Sequence, residues 1–155
     1  MKQHKHEIPY RRGRIADLTE TDRKLAELAR TACRTSYSPY SGFRVGAAAI
    51  LEDGTILTAS NQESEVFPSG MCAERILLYK FQSDFPDRQI TAVAIASEQD
   101  NKPGARDVYP CGGCAQVFAD TQKRQQQPIR VIMCGAESCT VIDSAGYLLP
   151  FAFEL

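Results

Sequence analysis

Ile90-Thr-Ala-Val-Ala-Ile-Ala96, then Pro110-Cys-Gly-Gly-Cys-Ala-Gln116, then Ile129-Arg-Val-Ile-Met133 is the run of sequence that decides the fold. The two ends are short, apolar and β-branched, as strands are, and the stretch from Cys111 to Lys123 between them predicts a helix after a Pro- and Gly-containing loop over 97–110. A strand, a helix and a strand in that order form a right-handed crossover with parallel strands. Upstream, Val45 to Leu51, Asp53-Gly54 and Thr55 to Ala59 read as strand, tight turn and strand. A polar loop fills 61–70, and a second helix carries Cys72, Ile76, Leu77, Leu78, Tyr79 and Lys80. Nearer the start, Leu18, Leu25, Leu28, Ala29, Ala32 and Cys33 share one helical face, with Thr19 and Asp22 placed to cap it, and Ser38-Pro-Tyr-Ser-Gly42 breaks that helix. The expected architecture is α/β, a single domain of three layers with helices on both sides of a mixed sheet of about five strands, the fifth within 139–149.

A chain of 155 residues suits one domain, and 43% hydrophobic with 24% charged residues excludes disordered and fibrous classes. Eighteen Lys and Arg against 19 Asp and Glu leave a net charge of -1, so no overall positive field exists to gather nucleic acid or an anionic membrane. Residues 1–16 read as a basic arm with Lys2, Lys5, Arg11, Arg12, Arg14, His4 and His6, without periodicity and in solvent, ahead of a folded domain over 17–155. Removing residues 1–14 is expected to leave the chemistry of that domain nearly unchanged. No apolar run reaches the ~18 residues of a membrane span, and the start lacks the apolar stretch of a secretory signal. The expected location is the cytoplasm, where the six cysteines serve as thiols or metal ligands rather than as disulfides.

Cys111 and Cys114 fall in the first turn of a predicted helix, where free backbone N–H groups favour thiolate. Alone, such a pair fits a redox couple, half a structural zinc site or two buried thiols. Cys72-Ala73-Glu74 adds a third cysteine that opens another helix, with a carboxylate two residues on. Three thiolates at two helix N-termini would hold a tetrahedral zinc ion with one position open, as a catalytic ion requires, and Glu74 would serve as acid and base beside it. The competing reading is a closed four-thiolate structural zinc completed by Cys134 or Cys139.

Zinc deaminases carry an H-x-E then P-C-x-x-C signature, with a three-cysteine variant. Cys72-Ala-Glu74 with Pro110-Cys-Gly-Gly-Cys114 resembles that variant, and the chain is similar to the small homotetrameric cytidine deaminases that act on free nucleosides. The similarity runs from Ser38-Pro-Tyr-Ser-Gly-Phe43 and Val45-Gly-Ala-Ala through Asn61-Gln-Glu63 and Gly70-Met-Cys-Ala-Glu-Arg75 to Leu148-Leu-Pro-Phe-Ala-Phe153. It implies a cytidine deaminase-like catalytic domain holding one Zn²⁺ per chain on Cys72, Cys111 and Cys114, with Glu74 as the catalytic acid and base. It further implies that Phe43 packs at the nucleoside, Asn61 and Glu63 hold the ribose, and Phe153 faces the base. Arg75, next to Glu74, is placed to hydrogen-bond a ligand thiolate and offset the negative charge that three thiolates leave around Zn²⁺. The implied partner is a nucleoside rather than a nucleic acid or a membrane, in a homotetramer with shared active sites.

The sequence departs from the family pattern at Ser64-Glu65-Val66-Phe67, where the family's segment reaches a neighbouring subunit's site, at Ala115, where an arginine is usual, and at the Phe153-Glu-Leu155 end. These departures touch subunit contacts and recognition of the 5′ side. The expected activity is deamination of cytidine, and of deoxycytidine, in pyrimidine salvage. A deaminase of another aminated heterocycle or modified nucleoside, motivated by Glu65 and Phe67, is the alternative within enzymes. A zinc-stabilised interaction protein without catalysis is the alternative outside them.

Overall fold

The chain runs as β1 (Arg11–Arg14), α1 (Glu20–Ala32), β2 (Arg44–Leu51), β3 (Ile56–Ser60), α2 (Ala73–Asp84), β4 (Ile90–Gln99), β5 (Lys102–Pro103), α3 (Gly112–Gln125), β6 (Arg130–Cys134) and β7 (Ser138–Ile142), in a computed structural model that describes residues 1–154. The strands form one sheet in the order β1-β7-β6-β4-β2-β3, with β5 paired to β4. Among the strands of the described residues only β4 and β6 are parallel neighbours, joined by α3. β3 and β4 each run antiparallel to β2, so they point the same way. The helices that follow them, α2 and α3, therefore start at the same edge of the sheet.

Alternation along the strands separates two cores. Val45, Ala47, Ala49, Val93, Ile95, Val131 and Met133 face α2 and α3, where Leu77, Leu78 and Phe118 are buried. Ala48, Ala92, Ala94, Ala96 and Ile132 face α1, through Leu25, Ala26 and Ala29. Alanines on that side let α1 lie close to the sheet. At Gly46 a Cβ atom would come 2.0 Å from the Ala29 carbonyl oxygen and 2.7 Å from the Cys33 nitrogen. Thr19 caps α1 as expected, its hydroxyl accepting from the Asp22 amide at 3.2 Å.

The sheet is larger than about five strands. Two of the additional strands are β5, a two-residue return inside the expected loop 97–110, and β1, inside the expected arm. Arg11–Arg14 carries no hydrophobic alternation, because all four residues are exposed on an edge strand whose ladder to β7 is made by backbone groups. The arm is thus only partly a solvated tail, and removing residues 1–14 would strip an edge strand. The remaining expected elements occupy their places within a few residues. Gln126, in the predicted polar turn, has a left-handed backbone (φ 57°) that ends α3. Among the described residues no helix is long and apolar enough to cross a membrane.

Candidate metal centre and active site

Cys72 and Cys111 are the N-cap residues of α2 and α3, and neither thiol is used to cap its own helix. Both sulfurs are therefore free to bond outward, at helix ends whose unpaired amides favour negative charge. The stretch before Cys72 is pinned by an isolated bridge, in which Gln62 N–H donates to the Met71 carbonyl at 2.9 Å and Met71 N–H to the Gln62 carbonyl at 2.8 Å. Cys114 lies in the first turn of α3 and is buried.

The three Sγ atoms lie within 4.8 Å of one another, and those of Cys111 and Cys114 are 3.4 Å apart. Tetrahedral zinc with sulfur at ~2.3 Å places its thiolates ~3.8 Å apart, so the donor set fits that ion in size and in chemistry. No fourth Cys, His, Asp or Glu joins the group among the described residues. Cys134 and Cys139 are buried on the opposite, α1-facing side of the sheet, which excludes the closed four-thiolate site. Burial pushes the Cys134 thiol up to about 12 and the Cys33 thiol up to about 11. The Cys72 thiol instead falls to about 5, first through its hydrogen bond with Cys114 and then through Arg75. That same hydrogen bond, together with burial, raises the Cys114 thiol.

Glu74 is 4% exposed in the first turn of α2. Burial pushes its carboxyl up to about 7, and the charge of Cys72 adds to the rise. Arg75 Nη2 donates to Cys72 Sγ at 3.8 Å. The buried Arg75 Nε has no hydrogen-bond partner.

Asn61 and Glu63 lie on one loop, and both are engaged within the chain. Asn61 Oδ1 accepts from Ser36 Oγ at 2.6 Å and from the Val45 amide at 2.8 Å, while Nδ2 donates to the Phe43 carbonyl at 2.9 Å. Glu63 accepts from the Tyr40 amide at 2.8 Å and from Ser41 Oγ at 2.5 Å. The predicted ribose loop is thereby tied to the Ser-Pro-Tyr-Ser-Gly-Phe segment, and Phe43 stands at its border, 37% exposed. Phe153 is 69% exposed. Its backbone is held by Gln116, whose Nε2 donates to the Phe153 carbonyl at 2.9 Å and whose Oε1 accepts from the Phe153 amide at 3.0 Å. Phe153 also lines a hollow of about 550 Å³ with Asp120, Gln122, Lys123 and Gly146, and no thiol opens into it. Nothing in the sequence marks Gln116 as this anchor, because a helical glutamine two residues past Cys114 reads as an ordinary surface position. At Phe67 the exposed ring packs edge-on against Tyr40, with ring centroids 5.7 Å apart.

A family model described as the cytidine and deoxycytidylate deaminase zinc-binding region matches residues 19–127, a span that holds all three thiols and Glu74. The chain is 40% identical to a cytidine deaminase of Halalkalibacterium halodurans over 85 residues, 55% of this chain and 60% of that protein, so the match spans less than two thirds of that relative's length. It is 31% identical to a probable cytidine deaminase of Dictyostelium discoideum over 134 residues, 84% of this chain and 82% of that protein. The crystal structure of a cytidine deaminase from Burkholderia pseudomallei superposes with a TM-score of 0.70 at 32% identity, covering 88% of this chain and 100% of that one. With the thiol trio and its buried carboxyl on two adjacent helix starts, and with that sequence match running through both, the chain belongs to the cytidine and deoxycytidylate deaminase zinc-binding family.

Proposed function

We propose that the protein catalyses zinc-dependent hydrolytic deamination of free cytidine, and of deoxycytidine, to the uridine product and ammonia, as a step of pyrimidine salvage in the cytoplasm. The observation that carries this reading is the convergence of Cys72, Cys111 and Cys114 beside the buried Glu74. Zinc bound there supplies a Lewis acid that lowers the pKa of a water molecule to about 7. Glu74 takes one proton of the attacking water and passes it to N3 of the base as C4 is attacked, then takes the remaining proton from the C4 hydroxyl and delivers it to the departing amine, which leaves as ammonia. One carboxylate thus acts as base and acid in turn. Arg75, against Cys72, offsets part of the negative charge of three thiolates.

Asn61 and Glu63 face the ribose, Phe43 packs on the nucleoside, and Phe153 covers the base. The exposure of Phe153, Phe67 and Tyr40 supports a homotetramer in which neighbouring chains complete each other's sites. The exposed Glu65 and Phe67 favour, as a second reading, another aminated heterocycle or a modified nucleoside as substrate.

Purified zinc-loaded protein given cytidine, deoxycytidine and free cytosine in parallel, with ammonia release measured, separates the two readings. Nucleoside turnover with little on the free base is expected, and Glu74→Ala should lose that turnover while keeping its zinc. Inertness on all three substrates with one zinc bound per chain would remove cytidine as the substrate. Full activity in Glu74→Ala would remove Glu74 as the acid and base.

A further inference from the structure

We propose that Asp107 is a positioning residue for the metal-ligand loop, a buried carboxylate that clamps the segment leading into Cys111 onto the β6–β7 hairpin and onto strand β1. The proposal rests on the thiols being the zinc ligands, and extends from them to a residue four positions upstream that the family signature does not include.

The Asp107 side chain is only 1% exposed, and a carboxylate removed from water is strongly unfavourable unless its oxygens are bonded. Both oxygens are bonded. One accepts from Ser138 Oγ, and the other from Thr140 Oγ1 at 2.7 Å. Both hydroxyls belong to β7, on the side of the sheet that carries Ile142 into the α2/α3 core. The Thr140 hydroxyl gives its one proton to Asp107, so in its 3.4 Å contact with the Tyr109 hydroxyl it is the acceptor. The relay thus returns to the same loop one residue before Pro110.

The charge is answered from β1. Arg12 pairs with Thr140 across the strands, and its Nε lies 3.6 Å from Asp107 Oδ2. A strand without one apolar residue is therefore placed where its cation faces the buried anion. Gly135 completes the seat: a Cβ there would come 2.9 Å from the Arg106 carbonyl carbon and 3.0 Å from the Asp107 amide nitrogen. The Val108 amide donates to the Cys134 carbonyl at 3.4 Å. The hairpin turn is in turn held from α1, where Arg30 Nη2 donates to the Gly135 and Ala136 carbonyls at 2.9 and 3.0 Å.

From this seat to Cys111 the chain has only Val108, Tyr109 and Pro110, and proline removes one backbone torsion from the path. A shift at Asp107 is carried into the sulfur positions, because too little chain lies between to absorb it. Cys72, by contrast, is set by the Gln62 bridge. The distance between the two halves of the ligand set therefore depends on Asp107.

The test is zinc and cobalt affinity of the full-length protein, measured by competition with a chromophoric chelator, together with the cobalt–thiolate charge-transfer spectrum. Asp107→Ala is expected to bind either metal about 10- to 100-fold more weakly than the wild type, the range seen when groups that orient ligands are lost, and to show an altered charge-transfer band. Thr140→Val removes one hydroxyl at constant shape, and a smaller loss in the same direction is expected. It carries the test if Asp107→Ala does not fold. Arg130→Ala is the control for simple destabilisation. It breaks a 2.6 Å pair with Asp22, whose side chain is 8% exposed, away from the ligand loop, and its metal affinity should stay within about twofold of wild type. Wild-type affinity and spectrum in Asp107→Ala, or in Thr140→Val if that is the variant that folds, overturns the clamp, as does an equal loss in Arg130→Ala. A wild-type protein that takes up no zinc overturns the ligand assignment itself, which the variant-to-wild-type ratio does not test.

Discussion

Replacing Asn61 by alanine should destabilise the whole domain as well as weaken nucleoside binding, because its amide is a joint between three segments. Truncation removes bonds of 2.6 Å from Ser36 Oγ, 2.8 Å from the Val45 amide and 2.9 Å to the Phe43 carbonyl. The bond to the Phe43 carbonyl is exposed and Ser36 is only half-buried, so water reaches these two groups more readily than the third. The Val45 amide, on a residue 9% exposed, is less easily re-paired, and an orphaned buried donor costs about 1–3 kcal/mol. Adding about 0.5–1 kcal/mol for each of the other two bonds gives an expected loss of about 2–5 kcal/mol. In a domain of this size, that corresponds to a fall in Tm of roughly 4–20 °C. Asn61→Asp separates the contributions, since it keeps the acceptor facing Ser36 and Val45 but sets a carboxylate oxygen against the Phe43 carbonyl. Urea unfolding and calorimetry on zinc-loaded protein, beside steady-state kinetics on cytidine, are the measurements. An Asn61→Ala protein within about 0.5 kcal/mol of wild type, with only its KM changed, would refute the joint and leave Asn61 as a substrate contact alone.

Gly46→Ala should be among the most damaging single-methyl additions in the chain. The new carbon would sit 2.0 Å from a backbone oxygen of α1, and relief requires moving the helix, at about 3 kcal/mol or more in denaturant unfolding; a loss below about 1 kcal/mol would mean that α1 is not held as close as described. Chelation of zinc should open Cys72 and Cys111 to rapid alkylation while Cys33, Cys114, Cys134 and Cys139, all 2% exposed or less, stay protected in mass spectra until the protein unfolds. Equal labelling of all six would contradict the separation of the two cysteine sets. Arg88 donates to Glu52 Oε1 at 2.6 Å and pairs with Asp53, whose carboxyl is drawn down to about 2 by the Thr55 amide and by Arg88. A lowered carboxyl contributes stability above its unfolded value near 4, and loses that contribution as pH falls towards about 2. Arg88→Ala should therefore move the acid unfolding midpoint, followed by circular dichroism, to higher pH, and an unchanged midpoint would show that the pair does not contribute.

The elements that bury side chains were legible in the sequence. Val93, Ile95, Val131 and Met133 alternate with Ala94 and Ile132 because each strand feeds two cores. Thr19 and Asp22 marked the start of α1 through a bond between near neighbours. The metal trio was legible for the same local reason, in that each cysteine opens or lies just inside a helix and keeps its company of Glu74 and Gly112-Gly113 along the chain. Strand β1 was not legible, because an edge strand held by backbone hydrogen bonds leaves no hydrophobic pattern. Asn61 presented the opposite difficulty. Its place in a motif pointed to a ligand, while its three bonds inside the chain depend on where Ser36, Phe43 and Val45 come to lie.

By itself, then, the sequence determined the order of the helices and of the strands that bury side chains, the three thiols, the carboxyl beside them and the family they mark, since all of these are written in side-chain type and short spacing. Only the tertiary structure decided that Cys72 meets Cys111 and Cys114 while Cys134 and Cys139 face the other way. That outcome follows from β3 and β4 running in the same direction on either side of β2, which brings the starts of α2 and α3 to one edge. The seating of Asp107 among Ser138, Thr140 and Arg12 was likewise decided in space. Residues more than 30 positions apart have no local signal of contact, and the free energy that joins them arises only when the sheet closes and removes the carboxylate from water.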